Sequence, residues 1–231
     1  MKLYVKLSTL VFLIFMFSNC KNNSAVSSVS MPSLSYLALG DSYTIGESVN
    51  VEERWPIQLV ERLKAQNLNF NSPNIIAKTG WTTDELMAAI KKENIKQKFD
   101  MVSLLIGVNN QYRGRDAEVF KSEFINLLDV AEGFSKYGKK GIFVVSIPDW
   151  GVTPFAKSRD KALIAKQIDQ FNAIKKEVCS AKGIIFIDIT DISRENNEKL
   201  IASDGLHPSA LMYQKWVDRI LPNIPTLYAK R

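Results

Sequence analysis

Five short apolar runs constrain this chain more than any other feature: "SYLAL" (35–39), "NIIA" (74–77), "MVSLLIG" (101–107), "GIFVVSI" (141–147) and "GIIFIDI" (183–189). Each is rich in Ile, Val, Leu or Phe and lacks the polar alternation of a strand with one wet face. Such runs are strands covered on both sides. Segments with helical spacing separate them. In "WPIQLVERLKAQ" (55–66), Ile57, Leu59, Val60 and Leu63 share one side, and Pro56 sits in the first turn, where a helix tolerates it. "TTDELMAAIKKE" (82–93) opens with Thr before Asp-Glu, a cap with favourable first-turn charge. Two longer segments, 116–138 and 158–183, each run into a Gly, a common helix stop, and "SALMYQKWVDRIL" (209–221) closes the series. This alternation predicts an α/β fold with a parallel sheet flanked by helices. In such a sheet the functional loops gather at the carboxyl ends of the strands. There is no internal repeat, and 231 residues at 46% hydrophobic and 23% charged suffice for one sizeable core.

The N-terminus stands outside that domain. "MKLYVK" carries Lys2 and Lys6, an unbroken apolar run spans Leu10 to Phe17, and "SNC" comes next. A basic start, a short apolar stretch and a small-polar exit read as an export signal over residues 1–19. The run falls short of the roughly 20 residues a membrane-spanning helix needs. "FSNC" resembles the lipobox of bacterial lipoproteins, where the signal is cut before a cysteine that becomes lipidated, here Cys20. Phe17 and Asn19 depart from the Leu and Gly or Ala usual in that box, and an ordinary secreted chain is the alternative. The Ser/Asn-rich residues 20–33 then read as a tether and 34–231 as the domain. The expected location is the cell envelope, periplasmic or outer-membrane, with the membrane engaged through the lipid anchor. Lys21 does not resemble the Asp that signals inner-membrane retention, which favours the outer membrane.

Charge and cysteine count exclude several functions. Lys2 and Lys6 belong to the signal, so 28 of the 30 basic residues remain against 24 acidic ones, a net +4 from Cys20 onward. The cations are scattered. Lys91/Lys92, Lys139/Lys140 and Lys175/Lys176 read as solvated helix faces, and no basic stripe with interleaved aromatics marks a nucleic-acid partner. Cys20 and Cys179 form no disulfide framework. Cys179 shares a helical face with Ile174 and Val178 and reads as a buried core thiol.

The segments that leave the predicted strands carry the chemistry. After the first strand comes "GDS", after the second "KTGWTT", after the third "GVNNQYRG", after the fourth "PDWGVTPF", and a polar segment after the fifth leads to "SDGLHPS". These place Ser42, Gly80, Asn109 and His207 at one sheet edge, and His207 is the chain's single histidine. Asp204, three residues earlier, can accept a hydrogen bond from one imidazole nitrogen and leave the other as the base a serine hydroxyl needs. Pro208 is expected to start the following helix. Read structurally, "DGLHP" is a helix-entry turn with an Asp cap.

These four blocks, in this order, resemble the SGNH hydrolases, or GDSL esterases and lipases, over about Tyr36 to Trp216. "GDS" matches the nucleophile block, Gly80 the glycine block, Asn109 in "GVNN" the asparagine block, and "DGLH" the final D-x-x-H. The first block reads "GDSYT" instead of G-D-S-L, and Asn110 stands where the family commonly has Asp, a change that touches local packing more than chemistry. The α/β-hydrolase motif G-x-S-x-G is absent. The resemblance implies a three-layer α/β/α sandwich with a five-stranded parallel sheet, flavodoxin-like, and a triad of Ser42, His207 and Asp204. It also implies an oxyanion hole built from the Ser42 and Gly80 backbone N–H groups and the Asn109 side chain. Asp41 is expected to support the turn. Trp81 and Trp150 either wall an acyl pocket or pack in the core or rim. Tyr112, Arg113 and Arg115 read as a solvated loop that could meet an anionic group, and Tyr43 and Glu47 as shapers of the nucleophile turn. No metal or organic cofactor is needed, and one His with a lone Cys makes a zinc site a poor fit. The implied activity is a lipase- or lysophospholipase-like serine esterase, a monomer acting on small-molecule, lipid or glycan esters. A carbohydrate O-acetylesterase on the same triad and a catalytically dead binding lipoprotein are the alternatives.

Overall fold

The computed structural model describes residues 33–224 and Tyr228. Cys20, the expected signal and most of the tether lie outside those residues. Met31–Arg231 forms one compact unit, and its hydrophobic core runs from Leu34 to Tyr228.

Among the described residues five parallel strands make one sheet: β1 (Tyr36–Gly40), β2 (Asn74–Ala77), β3 (Met101–Leu105), β4 (Ile142–Val145) and β5 (Ile185–Ile187), in spatial order β2-β1-β3-β4-β5. Every residue of β1, β3 and β4 is buried, whereas the edge strands β2 and β5 are partly exposed. Side chains such as Leu37, Leu39, Val102, Leu104 and Val144 are fully buried, each contributing about 1.5–3 kcal/mol of apolar transfer. The helices are α1 (Ser42–Ile45), α2 (Trp55–Lys64), α3 (Thr83–Glu93), α4 (Val108–Tyr112), α5 (Ala117–Phe134), α6 (Lys161–Lys182), α7 (Thr190–Ser193) and α8 (Ala210–Ile220). α2 packs against α8, and α3, α5 and α6 pack in succession. The strand order reverses between β1 and β3, and the crevice at such a point is where sheets of this kind bind ligands.

Local chemistry sets the helix ends, and two expectations change. The stop of α5 is not Gly138. The chain leaves the helix at Ser135 because Phe99 bridges that residue, with its N–H donating to Phe134 C=O at 2.7 Å and its C=O accepting from Lys136 N–H at 2.9 Å. Pro208 does not begin α8. It bridges Ile201, and Ser209 caps the helix by accepting from Met212 N–H at 3.3 Å. Gly183 does end α6, at φ 68, and returns its N–H to Cys179 and Ser180.

A third expectation also changes. Lys175 is completely buried. Its Nζ donates to Ile106 C=O at 3.0 Å and Val145 C=O at 2.8 Å, tying the ends of β3 and β4, and lies 5.7 Å from the Phe124 ring centre. Burial pushes its amine down to about 8. Cys179, one turn on, is the buried free thiol expected, and burial pushes it up to about 12.

Candidate active site

The turn after β1 is tightly built. Asp41 Oδ1 accepts Tyr43 N–H at 3.1 Å, and its carbonyl accepts the N–H groups of Thr44 and Ile45, both at 3.0 Å. A Cβ at Gly40 would fall 2.1 Å from Thr44 Oγ1 and 2.4 Å from Leu105 O, so this closure requires glycine. Ser42 opens α1 directly behind it. Asp41 is fully buried, and burial pushes its carboxyl up to about 7 against the Tyr43 N–H that favours the charge.

Gly80 takes φ 86, a left-handed conformation that favours glycine. Its carbonyl accepts from Arg113 Nη2 at 2.6 Å. Beside it the Thr79 hydroxyl donates to the Glu47 carboxylate, so Glu47 links the segment after Ser42 to the glycine loop. Asn109 lies in α4, and one hydrogen of its amide goes to Trp81 C=O at 2.9 Å, the other having no acceptor among the described residues. Asn110, at the family's usual Asp position, is a buried clamp: its Oδ1 accepts Thr83 N–H at 3.1 Å and its Nδ2 donates to Thr83 Oγ1 at 2.6 Å. Among the described residues, neither the Ser42 N–H nor the Gly80 N–H has an acceptor.

His207 Nδ1 pairs with Asp204 Oδ2 at 2.6 Å. Against a carboxylate that nitrogen carries the proton, and Nε2 is left as the acceptor. Asp204 receives three further donors: Ser48 Oγ at 2.7 Å, Leu206 N–H at 2.9 Å and His207 N–H at 3.0 Å. Partial burial opposes its charge, but these donors outweigh it and hold the carboxyl well below the usual carboxylate range. The His207 ring packs edge-on against Tyr43 at 5.8 Å, and Tyr43 in turn against Trp216 at 6.3 Å.

Ser42, Gly80, Asn109 and His207 line one cavity of about 180 Å³, with Val108, Tyr112, Trp150 and Phe155 among its walls. Asp204 stands behind His207 and does not line it. The Ser42 hydroxyl makes no side-chain hydrogen bond among the described residues, and serine–base contacts tighten when substrate arrives. A larger groove of about 800 Å³ lies alongside, but it holds none of these four residues, so chemistry and not size marks the site.

The neighbouring residues divide. Trp150 walls the cavity, fixed by Nε1 donating to Gln111 at 2.8 Å, whereas Trp81 supplies its carbonyl to Asn109 and does not line it. Tyr43 also lines the cavity. Arg113 and Arg115 are paired with Glu85 at 3.1 Å and Asp84 at 2.7 Å. Two residues went unnoticed in the sequence, Ser48 and Phe155. Ser48 takes φ 66, unusual outside glycine, and nothing in "GESVN" announces a contact with Asp204, 156 positions away. Among the described residues no cluster of His, Cys, Asp and Glu is placed to hold a metal ion.

The sequence pattern of the GDSL-like Lipase/Acylhydrolase family matches residues 38–215. The chain belongs to this family. As a GDSL hydrolase it is an ester-hydrolysing enzyme. It is 25% identical over 205 residues to the spore germination lipase LipC of Bacillus licheniformis, covering 81% of this chain and 94% of that one. Among solved structures, Axe2, an acetylxylan esterase from Geobacillus stearothermophilus, superposes with a TM-score of 0.64 at 19% identity, covering 84% of this GDSL hydrolase and 95% of Axe2. AlinE4, an SGNH-hydrolase family esterase, superposes with a TM-score of 0.61 at 18% identity over 84% and 96% of the two chains. At such identities the superpositions speak for the fold, an α/β sandwich on a five-stranded parallel sheet.

Proposed function

We propose that this GDSL hydrolase is an envelope lipoprotein, anchored through lipidated Cys20 and working as a monomer, that cleaves acyl esters of the lipase or lysophospholipase type. Ser42 Oγ attacks the ester carbonyl carbon while His207 Nε2 takes its proton. Asp204 orients the imidazole and stabilises the imidazolium. The oxyanion meets three donors, the N–H groups of Ser42 and Gly80 and the free amide hydrogen of Asn109. Donors of this kind contribute about 3–4 kcal/mol each when removed singly. The carbon–oxygen bond to the alcohol breaks, the alcohol leaves with the proton from His207, and Ser42 stays acylated. Water then attacks the acyl group, giving its proton to His207 as general base, and the acid departs as Ser42 regains its hydrogen.

The observation that supports this reading is that Ser42, Gly80, Asn109 and a carboxylate-held His207 line one cavity, while the Ser42 and Gly80 N–H groups have no acceptor among the described residues. The test is turnover of p-nitrophenyl esters of increasing chain length by residues 31–231, with Ser42→Ala alongside. Hydrolysis that Ser42→Ala removes is expected; a folded protein that turns over none of the series contradicts the reading. The small cavity, about 180 Å³, also suits an acetyl group, so an O-acetylesterase acting on glycans is the second reading. Acetate release from an acetylated polysaccharide, with lysophospholipid untouched, would select it.

A further inference from the structure

The loop from Trp150 to Lys161 carries a surface that catalysis does not use. Val152 is 40% exposed and Phe155 46%; Tyr112, which lines the cavity with Phe155, is 47% exposed, and Leu163, in the depression that adjoins it, 49%. Among the described residues, four of the seven large apolar side chains this open belong to this region, a concentration that marks an interaction surface. Between them stand Lys157, Arg159 and Lys161, all exposed.

The state of these cations is informative. By contrast, Arg113, Arg115 and Arg194 are each ion-paired, to Glu85, Asp84 and Asp149 respectively. Among the described residues Lys157, Arg159 and Lys161 form no ion pair. Of the acids nearby, Asp160 caps α6, accepting Leu163 N–H at 2.9 Å, and Glu195, in the groove that Lys157 and Lys161 share with it and Glu198, pairs with Lys215 at 2.5 Å. The loop is also held firmly. Asp149 accepts Gly151 N–H at 2.8 Å and Arg194 Nε at 2.9 Å, and Phe155 N–H donates to Gly205 C=O at 3.0 Å.

We propose that Val152, Phe155 and Leu163, with Lys157, Arg159 and Lys161, dock the enzyme on an anionic lipid surface. The apolar side chains enter the headgroup boundary and the cations meet the lipid phosphates, a combination of buried apolar area and electrostatic attraction that suits a peripheral membrane contact. The aromatic wall continues from this rim into the cavity: Tyr112 and Trp150 line both the cavity and a neighbouring depression of about 420 Å³ that includes Leu163 and Ile164. An acyl chain leaving the bilayer would meet Leu163, Tyr112 and Trp150 on its way to the cavity, beside the polar Gln111 and Gln167 of the same depression. A sugar-stacking platform fits less well. The largest ring, Trp150, is only 5% exposed, and Tyr112 and Phe155 are tilted 45° to each other instead of sharing a plane.

The proposal deepens the lipid-ester reading, and its test separates the two. Residues 31–231, which lack the anchor, are sedimented with vesicles of phosphatidylcholine alone or with phosphatidylglycerol added. Wild type should partition onto the anionic vesicles. Lys157→Gln/Arg159→Gln/Lys161→Gln should weaken this by about 100-fold, three surface cations' worth, and Val152→Asp/Leu163→Asp by about tenfold or more. Both variants should keep wild-type turnover of p-nitrophenyl acetate, which shows that they fold. Equal binding by wild type and the charge variant, or no wild-type binding to anionic vesicles, overturns the proposal. So does binding to acetylated polysaccharide that Val152→Asp/Leu163→Asp abolishes. Vesicle binding without ester turnover would instead remove the esterase reading and leave the docking surface standing.

Discussion

Asp41 and Asp204 each stand one step from the cavity, one beside Ser42 in sequence and the other hydrogen-bonded to His207. Asp41 is sealed in the core, and its Oδ2 is buried with no hydrogen-bond partner among the described residues. Asp204 is solvent-exposed and receives four donors. Burial pushes the first carboxyl up to about 7, while hydrogen bonding keeps the second ionised. Two carboxylates pushed apart in this way have different work. In the proposed mechanism Asp204 holds a negative charge opposite an imidazole that becomes cationic. Asp41 needs only an acceptor for Tyr43 N–H, and its charge is a liability. Being next to Ser42 in sequence does not make a residue part of the chemistry.

The largest effect expected from this contrast is at Asp204. Asp204→Ala should lower kcat by about 10⁴-fold with folding intact by circular dichroism, and His207→Ala by at least as much. Asp41→Asn, by contrast, should leave kcat near wild type. A matching collapse of kcat in Asp41→Asn would erase the distinction. Next is the oxyanion donor: Asn109→Ala should cost about 10²–10³ in kcat with a smaller change in KM, measured on one ester at saturation.

Ser48 sharpens the Asp204 side. Ser48→Ala removes one charge-assisted hydrogen bond at an exposed site, so kcat should fall about fivefold. Ser48→Gly should lose the same activity yet unfold at a higher denaturant concentration than Ser48→Ala, because φ 66 suits glycine and strains alanine. Equal kcat in all three proteins would show that the bond to Asp204 is idle.

The smallest effect is a change in pH dependence. Asp41 has a folded-state pKa above its unfolded value of about 3.9. Between about pH 4 and pH 7 the unfolded chain therefore releases a proton that the native state retains, and stability falls as pH rises through that window. Asp41→Asn should remove this slope, on the order of 1 kcal/mol once relaxation around the carboxyl blunts the cost. Urea unfolding at pH 4.5 and pH 7.5 reads it. An unchanged slope in Asp41→Asn would mean that another group carries it.

These contrasts reflect the limits of what amino-acid order can express. β1, β3 and β4 were legible because strands buried on both faces need unbroken apolar runs. Ser42, Gly80, Asn109 and His207 were legible because their blocks follow the strands or precede the last helix. α1, α4 and α7 were not, since a helix of one turn has no period to detect and is held by tertiary contact. Lys175 was misread as solvent-facing because two carbonyls at the sheet's end, invisible in one dimension, receive its ammonium. The helix boundaries at Gly138 and Pro208 were misplaced because Phe99 and Ile201 draw those segments into bridges from afar. Ser48 reached Asp204 by the same kind of long-range contact.

The central claim is that Ser42 is a nucleophile activated by the Asp204-held His207. The most direct measurement is mass-spectrometric mapping of a fluorophosphonate adduct on folded residues 31–231. One adduct, on Ser42, is predicted, forming far more slowly in His207→Ala. A well-folded wild-type protein that stays unlabelled, or that is labelled at another residue, would contradict it.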